Sequence, residues 1–141
     1  MTRLSTPRAT VEQAYELISF GPGGEPGWPQ FRALFTQPAV LALRLFPGDA
    51  AITVMDLDAY VAAQVTAAMK AVGYEERPVD AAYVQTGDIC EARVRFQMVF
   101  AADRVHDALD VFQLVRLDDQ WRIASIISEV LGAAPPAEAR S

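Results

Sequence analysis

The sequence has little of what most metal, redox and phosphate sites are built from. One cysteine, Cys90, and one histidine, His106, stand among 141 residues. A lone cysteine permits no internal disulfide, which points to a reducing, cytoplasmic setting. One His and one Cys, with no carboxylate–histidine spacing that fills a coordination shell, give no support for a metal. A glycine-rich phosphate loop is also missing, because GPGG at 21–24 lies in a proline-broken loop and not between a strand and a helix. No cofactor is expected. Every apolar run meets a charge, Gln or Gly well before the roughly 18 residues that a membrane span needs, and MTRLSTPR lacks the apolar core of a signal peptide. Lys and Arg number 12 against 18 Asp and Glu, a net charge of −6 with no basic cluster. Nucleic acid is therefore not expected as a partner.

What is present is apolar patterning, with hydrophobic residues at 52%. The length suits one domain, expected over 9–131, with mobile ends at 1–8 and 132–141. Thr10-Val11-Glu12-Gln13 fits a capping box, followed by an apolar stripe of Val11, Ala14, Tyr15 and Ile18. Residues 21–27 break that helix. A short second helix has Pro29 in its first turn and turns Trp28, Phe31, Leu34 and Phe35 inward. A strand over 39–46 precedes a third helix over 57–72, which Gly73 stops. Strands follow: 79–86 turns at Gly87-Asp88 into 89–101, and 108–130 holds two more joined at Asp118-Asp119-Gln120. In the strand 89–101 one face reads Cys90, Ala92, Val94, Phe96, Met98, Phe100 and the other Glu91, Arg93, Arg95, Gln97, the alternation of a half-buried antiparallel strand. Helices followed by a meander predict an α+β domain with helices packed on one face of a sheet.

The order of elements resembles the nuclear transport factor 2-like superfamily. The resemblance is most specific in Met98-Val99-Phe100, Ala108-Leu109-Asp110-Val111, Arg116 and Trp121-Arg122-Ile123, which look like closing strands of ketosteroid isomerases and polyketide-cyclase-like relatives. It implies a cone-shaped, curved antiparallel sheet with three helices on its concave side and an internal cavity. It also implies a homodimer through the outer sheet face. By the same resemblance, Gln113 falls where ketosteroid isomerases hold a neutral Asp that donates to the enolate oxygen, the handling of a carboxyl for which that enzyme is the standard case. Tyr15 falls near the tyrosine that shares this oxyanion hole. The family's general base would lie near Leu43-Arg44-Leu45, where there is no carboxylate, which argues against ketosteroid isomerase activity.

Gln113 interrupts the row Leu109, Val111, Gln113, Val115, Leu117. Either it is a core amide bonded to a neighbour, or it meets a ligand carbonyl or hydroxyl. Left unpaired it would cost about 1–3 kcal/mol. The expected pocket comprises Tyr15, Trp28, Phe31, Tyr60, Val94, Phe96, Met98, Phe100, Val111, Gln113 and Ser128, a hydrophobic, aromatic-tolerant lining. Tyr15 and Tyr60 are alternatively core aromatics with bonded hydroxyls. Ser128 depends on register. A two-residue turn sets Val111 opposite Ser128 and Gln113 opposite Ile126; a three-residue loop sets Gln113 opposite Ser125 and Val111 opposite Ile127. The family pattern favours the first. Asp110, on the other face, is expected to be solvated or at a subunit contact. His106 is expected in a surface loop, with Asp107 pointing the other way. Arg44 is either exposed at a strand end or grips an anionic ligand. On the outer face, Phe112, Leu114, Ile123, Ile127 and Val99 form the expected apolar dimer patch around Arg93 and Arg95. Two functions stay open: an isomerase, dehydratase or cyclase acting on a hydrophobic carbonyl compound through Gln113 and Tyr15, and a non-catalytic domain whose cone is filled by its own side chains. Several hundred Å³ of space beside Gln113 would favour the first.

Overall fold

The computed structural model describes residues 4–101 and 104–133. The first helix, α1 (Pro7–Ile18), starts a turn earlier than the Thr10 box suggested. Thr6 is the N-cap, its hydroxyl accepting from Ala9 N at 3.0 Å, and Pro7 supplies a first-turn φ without a lost donor. Thr10 is instead fully buried, and its hydroxyl donates to the Trp121 carbonyl at 2.8 Å. The stripe Val11, Ala14, Tyr15, Ile18 is buried as its spacing predicts. Residues 4–6 are tied down and are not part of a mobile tail: Leu4 is buried, and its carbonyl accepts from Trp121 N at 2.9 Å. Most of the expected C-terminal tail lies outside the described residues.

After α2 (Trp28–Arg32), β1 (Phe35–Leu43) begins four residues before the expected strand, and a short β2 (Thr53–Asp56) was not foreseen. The single helix read over 57–72 is two, α3 (Leu57–Ala63) and α4 (Ala67–Val72). Thr66 breaks it by accepting from Met69 N at 3.2 Å as a new N-cap. Gly73 then reverses the chain at φ +87, where a Cβ would stand 3.0 Å from Phe20 O. That close approach lets Phe20 and Tyr74 exchange backbone hydrogen bonds and delivers the next strand against the end of α1.

Four long strands follow: β3 (Glu75–Thr86), β4 (Ile89–Ala101), β5 (Arg104–Leu117) and β6 (Gln120–Ala133). They make a curved, unclosed six-stranded sheet in the order β2-β1-β6-β5-β4-β3. The sheet is mixed and not wholly antiparallel, because β1 runs parallel to β6. The helices cover its inner face, and the core lies between.

The β4 alternation holds: Cys90, Ala92, Val94, Phe96, Met98 and Phe100 are buried, while Glu91, Arg93 and Arg95 are exposed. Residues directly opposite on paired strands share a face. The partners Cys90↔Leu114, Ala92↔Phe112, Val94↔Asp110 and Phe96↔Ala108 therefore make the even-numbered row of β5 the inner one. This reverses the expected assignment. Phe112, Leu114 and Ile123, expected outside, are at most 1% exposed, while Gln113 is exposed and accepts from Ser125 Oγ at 2.9 Å. The turn is Asp118-Asp119, both at positive φ (51° and 62°), as a two-residue hairpin of the right twist requires. A bulge between Gln113 and Leu114 then shifts the pairing, so Gln113 faces Ser125 and Val111 faces Ile127. The long-range register is thus the one expected of a three-residue loop, reached by a tighter turn plus a bulge.

Candidate functional site

The inward row of β5 brings an acid to the middle of an apolar wall. Asp110 is 6% exposed, flanked on its own row by Ala108 and Phe112. Its Oδ2 accepts from Tyr15 Oη at 2.7 Å, and its Oδ1 accepts from Ser128 Oγ on the neighbouring strand. Tyr15 reaches it because the α1 stripe faces the sheet. Its ring is held 5.5 Å from Phe96 and 5.8 Å, edge-on, from Phe112.

A second carboxyl enters from the edge strand. Glu76 lines the same cavity, and its Oε2 accepts from the buried Tyr74 Oη at 2.6 Å. Its backbone N–H donates to Ser19 Oγ at 3.0 Å, and that hydroxyl donates to Tyr15 O at 2.8 Å. One serine thereby ties the Glu76 backbone to the helix that carries Tyr15. Gln64, in the break between α3 and α4, is 3% exposed and lines the cavity as well.

Burial dominates the electrostatics. It pushes Asp110 up to about 6, against the opposing hydrogen bonds from Ser128 and Tyr15. Glu76 rises further, to about 8, because burial is reinforced by the Asp110 charge and only partly relieved by Tyr74. Burial and the neighbouring carboxylate push Tyr15 far above the usual phenol value. Burial and mutual repulsion raise both carboxyls, so near neutral pH the pair shares one proton.

The inner cavity is about 50 Å³, with Phe31, Leu41, Leu43, Tyr60, Phe96, Met98 and Phe112 among its apolar lining. That is room for water and too little for an organic ligand, which takes roughly 300 Å³ or more. A larger space of about 620 Å³ opens at the end of the sheet, lined by Phe46, Met69, Phe100, Arg104 and His106 among others. Val130 lines both spaces.

Six of the expected pocket residues lie on the inner cavity: Tyr15, Phe31, Tyr60, Phe96, Met98 and Ser128. Five do not. Phe100 lines the outer space. Trp28 stands behind the lining, edge-on to Phe31 at 5.4 Å and to Tyr60 at 6.4 Å. Val94 faces a shallow groove with Arg8 and Tyr83. Val111 and Gln113 are on the opposite face of the sheet, because β5 presents its even row inward. Gln113 does not line the cavity, and the donor expected there cannot reach it from the opposite face. Ser128 is on the cavity as expected, but opposite Asp110 and not Val111. Arg44 lines the cavity rim with its Nε 2.9 Å from Glu129 Oε1 and its Nη1 3.0 Å from Asp49 O, so these donors are already engaged. His106 is in a strand and not a loop, edge-on to Phe100 at 6.1 Å. Asp107, on the other face, accepts from Gln97 Nε2 at 3.3 Å. Among the described residues, no three His, Cys, Asp or Glu side chains are grouped to hold a metal.

Sequence reasoning missed Asp110, Glu76, Tyr74 and Gln64. One signal was available: Asp110 is an acid in mid-strand with apolar residues on both sides. Glu76, in YEERPV, carried none, because the edge strand has no readable alternation.

No protein-family model matches the sequence, and no curated protein matches it significantly. Solved structures do share the fold. A nuclear transport factor 2-like protein with a cystatin-like fold from Novosphingobium aromaticivorans superposes with a TM-score of 0.67 at 17% identity, over 94% of this chain and 83% of that one. The hexachlorocyclohexane dehydrochlorinase LinA-type3 of Novosphingobium barchaimii gives 0.66 at 12% identity, over 95% and 92%. The yeast UBP3-associated protein BRE5 gives 0.66 at 12% identity, over 89% and 93%. The chain has the nuclear transport factor 2-like, cystatin-like fold.

Proposed function

We propose that this chain, with its nuclear transport factor 2-like fold, binds a small apolar carbonyl compound and acts on it by acid–base chemistry, as an isomerase or dehydratase does. The supporting observation is a pair of carboxyls on one apolar cavity, the buried Asp110 and the half-buried Glu76, with Tyr15 and Tyr74 bonded to them. Residues 43–45 hold no carboxylate, and Asp110 of β5 and Glu76 of β3 would supply the base from elsewhere on the cavity. A shared proton near neutral pH supplies one base and one acid without external help. On substrate entry Tyr15 would turn its one hydroxyl hydrogen from Asp110 Oδ2 to the oxygen on which charge develops, freeing that carboxylate oxygen to act as base; such a bond contributes a few kcal/mol in a site shielded from water. The ligand body would occupy the outer space, and its carbonyl would reach the carboxyls past Val130 and the pliable Met98. On this fold the dehydrochlorinase is named for small-molecule chemistry and the yeast protein for its association with UBP3, so the residues of the site and not the fold carry the reading. The small inner volume favours a second reading, a non-catalytic domain with a filled cone.

Calorimetric titration with phenol, a planar stand-in for an enolate, and with cyclic ketones separates the two. Binding is expected, weakened about tenfold or more in Asp110→Asn and Tyr15→Phe, the scale of a charge-assisted hydrogen bond. No heat and no shift in melting temperature with any of these compounds would leave the filled cone.

The chain would work as a homodimer in the cytoplasm, where the unpaired Cys90 stays reduced. Among the described residues, no helix is long and apolar enough to cross a membrane. The outer face presents Val40 and Ile127, exposed by 47% and 52%, beside Leu109, Val111 and Val115. Such a patch on a sheet is usually covered. Light scattering should give twice the 15.4 kDa of one chain at micromolar concentration, and Ile127→Glu should halve it. A wild-type mass of one chain would refute the dimer.

A further inference from the structure

Among the described residues, Gln64 Oε1 is the one buried side-chain nitrogen or oxygen without a hydrogen-bond partner. Sealing an acceptor away unpaired costs about 1–3 kcal/mol, so its presence in an otherwise bonded core calls for a reason. Its position supplies one. Gln64 is the residue at which α3 ends, and it lines the same cavity as Glu76 and Asp110. A methionine or leucine there would continue the apolar stripe of Leu57 and Tyr60 and carry no such penalty. The Asp110 side differs, because both of its oxygens are met, by Tyr15 and by Ser128. The cavity thus has one polar group that its own donors saturate and another, Gln64 Oε1, that no described donor reaches.

We propose that the occupant carries a hydroxyl or N–H in addition to its carbonyl, and that Gln64 Oε1 receives it. This names the ligand class as a small hydroxy-ketone or its enol, and it rests on the carbonyl reading above. A ligand without the second donor would leave that acceptor unpaired. Sites built to bond a hydroxyl discriminate strongly against analogues that lack it, whereas apolar contacts alone discriminate weakly.

The test is a pair of matched ligands, phenol against resorcinol and cyclohexanone against 3-hydroxycyclohexanone, titrated into wild type and Gln64→Met. Methionine keeps the length and removes the acceptor. The hydroxyl-bearing member of each pair is expected to bind wild type about tenfold more tightly. That advantage should vanish in Gln64→Met. Equal affinities within each pair for wild type would overturn the second donor and leave the carbonyl reading standing. A full preference retained in Gln64→Met would overturn Gln64 as its acceptor. Failure of all four compounds to bind wild type would overturn both. Should Gln64→Met not fold, the wild-type comparison within each pair still decides.

Discussion

Unfolded in urea across a pH series, the protein is expected to lose about 4 kcal/mol of stability between about pH 5 and pH 8, against the habit of acidic proteins, which weaken on acidification. The cause is Glu76. Its carboxyl is ionised in the unfolded chain above the ordinary value of 4.5, yet in the fold it stays protonated until about 8. Through that window the unfolded state binds fewer protons, so stability falls by about 1.4 kcal/mol per pH unit. Asp110 adds to the slope only up to about 6. Stability contributed by the neutral acids is therefore complete below the unfolded values and is lost as pH rises through the folded ones. Glu76→Gln, which cannot ionise, should flatten the curve above about pH 6 and stabilise the protein at about pH 8 by a similar amount, about 4 kcal/mol. A wild-type curve that is level or rising from pH 5 to 8 would mean that the glutamate is solvated in the fold.

The second large effect contrasts two adjacent residues. Phe112→Ala should destabilise the fold by about 3–5 kcal/mol, because the ring is 1% exposed and packs on Tyr15, and alanine leaves a hole that close-packed strands cannot fill. Gln113→Leu should change stability by less than about 0.5 kcal/mol, as an exposed site bonded only to Ser125 would. Urea midpoints for the two variants check this. A costly Gln113→Leu beside a mild Phe112→Ala would turn the strand over again.

That contrast shows where reading the sequence stops. The α1 stripe, the alternation of β4 and the succession of helices and strands were legible because each expresses a local period, 3.6 or 2, against one buried face. The face of β5 was not. Both of its rows are largely apolar, so period 2 separated them without saying which turns inward. The more apolar row, holding Leu109 and Val111, lies outside. Only pairing with the unambiguous β4 decides the matter, across a loop whose length does not announce the register. The bulge after Gln113 was similarly silent, and it cancelled the difference between the two turn lengths considered for Asp118-Asp119-Gln120.

The site was hidden for a related reason. Tyr15 could be read as facing inward, but its partner Asp110 is 95 positions away in the chain. The two meet only because α1 crosses the inner face where β4 and β5 register. Glu76 depends on Gly73 reversing the chain against Phe20 and on Ser19 holding the strand backbone, contacts that no periodicity expresses. The sequence by itself determined the α+β class, the α1 stripe and the inner face of β4, since burial of a patterned face is a local property repeated along the chain. Tertiary structure alone decided that two carboxyls, and no amide at 113, face the hollow, because strand register and helix placement set which distant side chains share the same few ångströms.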